Sequence, residues 1–166
     1  LRSFRSDKLS AFIKALLDNH PQQAADLCQE LQSSYPIVLT RNFDTAKLWV
    51  KSHARGTERY GLLASSEGKR LRGAGIWVPT QIDHVNWFLK GKDHVDSSYY
   101  LEVAASEFKV QGLEVDYAIV AWDADFRYIN GDFDYFRFRG TRWNHTNIEQ
   151  RQQYQKNAYR VLLTRA

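Results

Sequence analysis

The sequence predicts an α/β domain with a mostly parallel central sheet, helices on both of its faces, and an added β-hairpin. Three observations point there. Short apolar runs suited to buried strands alternate with stretches of helical periodicity. The 166 residues, 43% hydrophobic and 14% aromatic, are enough for one domain with a single core. A late stretch of alternating aromatics and charges surrounds Asn130-Gly131, a dipeptide that favours tight hairpin turns.

The first predicted helix spans 7–18, with Ser6 as its cap and Leu9, Phe12, Ile13, Leu16 and Leu17 as its apolar stripe. Pro21 suits the first turn of a second helix running to about Ser33. Residues 37–40 after Pro36 read as a buried strand, and 44–54 as a helix with Ala46, Trp49 and Val50 on one face. Gly56 suits the exit from that helix. Residues 60–65 read as a strand, 66–73 as a basic loop, 75–78 as a short strand and 84–89 as a short helix. Strands are expected at 99–105 and 117–122, a hairpin over 124–145, and a polar helix from Thr146 or Asn147 to about Arg160.

Composition narrows the function classes. No stretch approaches the roughly 20 apolar residues of a membrane span, and no signal peptide is evident, so a cytoplasmic protein is expected. The single Cys28 has no intrachain partner and reads as packing, and the five histidines are too scattered for a zinc site. A net charge of +4 hints only weakly at a polyanionic partner. The chain contains no methionine, even at position 1, and is expected to be a piece of a longer protein.

Three short segments carry the chemistry, in order along the chain: Ser3-Phe4-Arg5-Ser6, the stretch from Ser106 to Glu114 (SEFKVQGLE), and the stretch from Tyr159 to Ala166 (YRVLLTRA). Together they resemble motifs IV, V and VI of superfamily 1 helicases. Phe4, Arg5 and Ser6 match the aromatic-Arg-Ser triplet. Ser106, Lys109, Gln111, Gly112 and Glu114 fit T-x-H-K-x-Q-G-x-E, with Phe108 in place of the histidine. Leu163 to Ala166 match L-T-R-A. The closer likeness, through YLEVAASEFKVQGLEVD, WDADFR and NAYRVLLTRA, is to the Schlafen group 3-like helicase domain of bacterial ATPases. It is dense over 97–166, weaker over 1–12 and thinner between.

The resemblance implies a RecA-like three-layer α/β/α domain, the second of two motor domains. It implies Arg5 and Arg165 as the groups that reach the γ-phosphate of ATP, with Mg²⁺, on the N-terminal RecA-like domain of the same protein. Cleaving that phosphate spreads negative charge that planar guanidinium groups stabilise, by about 10³–10⁵ in rate in phosphoryl-transfer systems. Glu114 would accept from the nucleotide sugar hydroxyl. Gln111 belongs to the same loop, and Gly112 allows a close backbone approach. Ser106 and Lys109 would lie near the groove for single-stranded DNA or RNA.

Plainer readings compete with each assignment. Arg5 also suits a solvated position near a helix start, Arg165 complements a helix dipole, and Arg160 fits internal pairing. The phosphate-cradling G-x-x-x-x-G-K-[ST] is absent: Leu63 and Asn86 stand where Gly68-Lys69 and Gly91-Lys92 would need glycine. The chain alone is therefore expected neither to hydrolyse ATP nor to bind it tightly. A non-catalytic nucleic-acid-binding or regulatory module is the main alternative. A nuclease using Glu107, Glu114, Asp116, Asp123 or Asp125 is weaker, because no carboxylate-plus-lysine arrangement is evident.

Residues 126–143 interleave seven aromatics with Arg127, Arg137, Arg139 and Arg142. One reading is a stacking and phosphate-binding surface with Arg137 and Arg139 on the strand. The other, which four nearby aspartates favour, is a hairpin that packs its rings on the domain. Phe108 fits either base stacking or, the favoured expectation, burial.

Overall fold

The computed structural model describes residues 2–166, and side chains from Asp7 onward. Helix α1 (Arg2–Leu17) begins earlier than expected and contains Ser6, which therefore is not its cap. Its predicted stripe holds: Leu9, Phe12, Ile13 and Leu17 are buried and Leu16 packs beside them. Helix α2 (Pro21–Leu31) starts on Pro21, whose missing N–H costs nothing in a first turn. In α3 (Phe43–His53) the Asn42 side chain accepts from the Thr45 amide at 2.9 Å, a side-chain cap.

The central ladder is short. β1 (Tyr60–Ala64) and β2 (Tyr117–Ala121) pair in parallel, Tyr60 opposite Tyr117 and Ala64 opposite Ala121. Alternation sends side chains to two cores. Leu63, Ala118 and Val120 meet α1, α2 and the C-terminal helix, whereas Leu62, Ala64 and Ile119 meet Val50 of α3. Helical residues thus cover both faces of the pair.

Three expected strands do not form, so the sheet is smaller than the mostly parallel one predicted. Val38 and Leu39 are 61% and 97% exposed, and residues 37–40 form no strand or bridge among the described residues. An apolar run becomes a strand only where a ladder receives it. Residues 99–105 begin instead with a turn of 3₁₀ helix (Ser98–Tyr100), and Leu101 follows at φ 58 in the left-handed region. Only single parallel bridges survive there, Ala105 with Leu63 and Val103 with Trp77, the latter being all that remains of the strand expected at 75–78. The basic loop after β1 winds into a 3₁₀ helix (Lys69–Ala74). Helix α4 (His84–Leu89) is capped by the Asp83 carboxylate and buries Trp87.

The hairpin forms, and it gains a third strand. β3 (Phe126–Ile129), β4 (Asp132–Arg139) and β5 (Arg142–His145) make an antiparallel meander. Asn130 (φ 52) and Gly131 (φ 87) both take the left-handed conformation that a two-residue hairpin turn demands. Gly140 (φ 59) provides the second turn, which the sequence reading passed over. Phe126, fully buried, stacks on Phe133 at 4.5 Å and joins Tyr135 and Tyr159 in the larger core. Helix α5 (Glu149–Leu163) lies under the meander. Its Gln155 amide donates to the carbonyls of Asp125 (2.6 Å) and Phe136 (3.0 Å). No helix among the described residues is long and apolar enough to cross a membrane.

Candidate nucleotide and nucleic-acid interface

Two of the three segments singled out in the sequence, 106–114 and 159–166, collect beside the two parallel strands. Ser106, just past the bridge at Ala105, opens a turn in which its carbonyl accepts from the amides of Lys109 (2.8 Å) and Val110 (3.1 Å). Val110, 1% exposed, anchors the turn in the core. Ser106 is buried, Lys109 half-buried, and Gln111, Gly112 and Glu114 are exposed. Gly112 has φ 80, a conformation that favours glycine. Phe108 is 67% exposed, which corrects the expectation of burial. The aromatic ring on this turn faces solvent.

Glu107 takes the inward position instead. Its carboxylate accepts from the Ser66 amide at 2.9 Å and the Ser66 hydroxyl at 2.6 Å, fastening the turn to the loop after β1. Asp125 is also wholly buried; it accepts from Ser65 Oγ at 2.8 Å and Tyr159 OH at 2.5 Å. Burial pushes its pKa up to about 6 despite those donors. The same environment, with Asp125 adjacent, pushes the Tyr159 hydroxyl well above its usual range. Asp116 accepts from the Arg59 amide at 2.7 Å. Among the described residues no cluster of three potential ligands could hold a metal ion.

The two C-terminal motif segments meet through their backbones. The Val115 amide, next to Glu114, donates to the Arg165 carbonyl at 2.9 Å. Tyr35 OH donates to the Ala166 carbonyl at 2.8 Å, holding the end of the segment on α2's side. The Arg165 side chain folds back, its Nε donating to Val161 O at 3.2 Å. Arg160 bonds Asn157 at 2.7 Å and lies 3.9 Å from Asp18, an internal arrangement. The Arg5 side chain lies outside the described residues.

The family model for the Schlafen group 3 DNA/RNA helicase domain matches residues 1–166. The chain belongs to this family. Neither the curated proteins nor the solved structures gave a significant match.

In this helicase domain the meander packs rings into the core on one side and sets arginines against rings on the other. One side of β4 carries Phe133 and Tyr135 into the core. On the other side arginines lie on rings: Arg127 is 4.0 Å from the Phe136 centroid and 5.0 Å from that of Trp143, and Arg70 is 5.0 Å from that of Phe138. Arg137 is not a free cation. It pairs with Glu67 at 2.5 Å, and that bond raises its already high pKa. Arg139 is exposed and has no ion-pair partner among the described residues. The sequence reading missed Glu107, Asp125 and Tyr159 as a buried polar frame, and Thr146 and Arg151 beside Arg139. Only the density of the WDADFR and NAYRVLLTRA matches marked the frame; no local signal marked the last two.

Proposed function

We propose that this helicase domain is the second motor domain of a superfamily 1-type ATPase and works against an N-terminal RecA-like domain of the same protein. Arg5 and Arg165 face the γ-phosphate of Mg²⁺-bound ATP across the cleft between the domains. Glu114, with Gln111 and Gly112, meets the nucleotide sugar. Ser106, Lys109 and Arg139 border the path of a single strand of DNA or RNA. The observation that supports this most is the bond from Val115 N to Arg165 O, which brings the Glu114 loop and the arginine-bearing segment to one rim. The sequence has no phosphate-cradling G-x-x-x-x-G-K-[ST], which fits a domain that contributes arginines to an ATP held elsewhere.

The test is ATP turnover by the full-length protein. Arg165→Lys keeps the charge but loses the planar fork, and is expected to lower kcat by about 10³ or more with little change in KM. Unchanged kcat would refute the assignment.

A second reading has its own support. Arg165 donates to Val161 O instead of projecting outward, which suits a nucleic-acid-binding module without hydrolysis. Strand binding together with ATPase activity indifferent to Arg5, Glu114 and Arg165 would favour it.

A further inference from the structure

We infer that the open pocket between the far end of the meander and the first turn of α5 is a phosphate site, and that its ligand is a phosphodiester of single-stranded nucleic acid. The inference rests on the proposed strand-binding reading and gives it a place and a chemistry. The pocket measures about 300 Å³; Arg137, Arg139, Asn144, Thr146 and Arg151 are in its wall, and no described carboxylate lines it.

Four observations converge. First, α5 opens without a side-chain cap, since Ile148 stands at the capping position. The first-turn amides of a helix lack intrahelical acceptors, and the helix dipole adds partial positive charge there. Second, Thr146 is 6% exposed, lines the pocket, and its hydroxyl has no hydrogen-bond partner among the described residues. A buried hydroxyl left unpaired is costly, and a bound oxyanion would accept from it. Third, Arg139 stands directly opposite Arg142 in the β4–β5 register. Like charges facing across a ladder destabilise it, and an anion beside them relieves the repulsion. Fourth, Arg151 on the first turn of α5 is exposed and unpaired among the described residues, so two cations border the pocket with their charge unspent.

Neighbouring acids do not cancel this. Glu67 neutralises Arg137, so Arg139 and Arg151 are the phosphate-binding pair. Asp134 is occupied by His145 at 2.5 Å, and Glu149, in α5's first turn, is exposed and outside the wall. No phenylalanine, tyrosine or tryptophan lines the pocket, so a base has no ring of those kinds to stack on. What is recognised is the phosphate, and the open shape lets a strand enter and leave. Such a grip is independent of base sequence.

The test titrates the purified protein into a fluorescein-labelled oligothymidylate over a range of salt. Arg139→Gln with Arg151→Gln is expected to weaken binding roughly tenfold and to flatten the logarithmic salt slope by about 1.4, two single-strand contacts at about 0.7 each. Lys51→Gln with Arg55→Gln removes equal charge from the end of α3 and the loop after it, and the slope is expected to stay as in wild type. Thr146→Val is expected to weaken binding several-fold while the thermal midpoint holds or rises. Equal losses from the two double variants, or Thr146→Val binding like wild type, would overturn the pocket and leave strand binding intact. If wild type binds no oligonucleotide, the broader strand-binding reading fails as well. Inorganic phosphate that shifts the Glu149 and Gln150 amide resonances in that case would mean a free phosphate as ligand, and would overturn assignment to a strand.

Discussion

Tyr159 of α5 donates its hydroxyl to the buried Asp125 carboxylate at 2.5 Å, joining the C-terminal helix to the chain just beyond β2. Ser65, just past β1, donates to the other oxygen at 2.8 Å. Three separate segments therefore depend on one acid with no solvent exposure.

That acid gives stability a pH dependence of definite sign. Its folded pKa is raised to about 6 from an ordinary 3.8, so between those values the folded state holds more protons than the unfolded. Asp125 thus makes stability fall as pH rises through that window, then stay flat above it. Urea unfolding of wild type and Asp125→Asn at pH 4.5 and 7 isolates this from other carboxylates. The difference between the proteins is expected to change by on the order of 2 kcal/mol; a pH-independent difference would count against the assignment.

Phe126→Ala removes a ring with no exposed surface from between the meander and α5. A loss of about 3–5 kcal/mol is expected on chemical unfolding. A cost under about 1 kcal/mol would mean that the meander contributes little to the core.

Glu107→Gln weakens the double acceptance from Ser66. Faster hydrogen exchange is expected at the Ser66 amide and through 106–110, with the distant meander turns unaffected. Unchanged protection at Ser66 would show that this carboxylate does not hold the turn.

Glu67→Gln releases Arg137 from its ion pair. Under the strand-binding proposal, oligonucleotide affinity rises and the salt slope steepens by up to about 0.7. A stability change with no change in binding would confine Arg137 to a structural role.

What could be read in advance was what local chemistry decides. Pro21, Asn130-Gly131 and the all-apolar β1 each constrain the backbone through their own residues, and the structure follows them. Strands that need a distant partner could not be read that way. Residues 37–40 have the right composition but pair with no strand among the described residues, and 99–105 is interrupted where Leu101 turns left-handed. The candidate site divides similarly. Resemblance to motifs V and VI marked the Ser106–Glu114 and Leu163–Ala166 segments, but only tertiary structure reveals that Val115 bonds Arg165, that Glu67 takes Arg137, or that Phe108 faces out while Glu107 turns in.

Helix α5 has fifteen residues, which at 1.5 Å each make a rod about 22 Å long. Arg151 rides near one end, and Arg165 follows the other. Gln155 and Tyr159 pin its middle to Asp125. A stiff lever held at its centre turns a small tilt at one tip into an opposite displacement at the other. On the proposed reading, the ATP-facing and strand-facing arginines therefore sit at opposite ends of one rigid body.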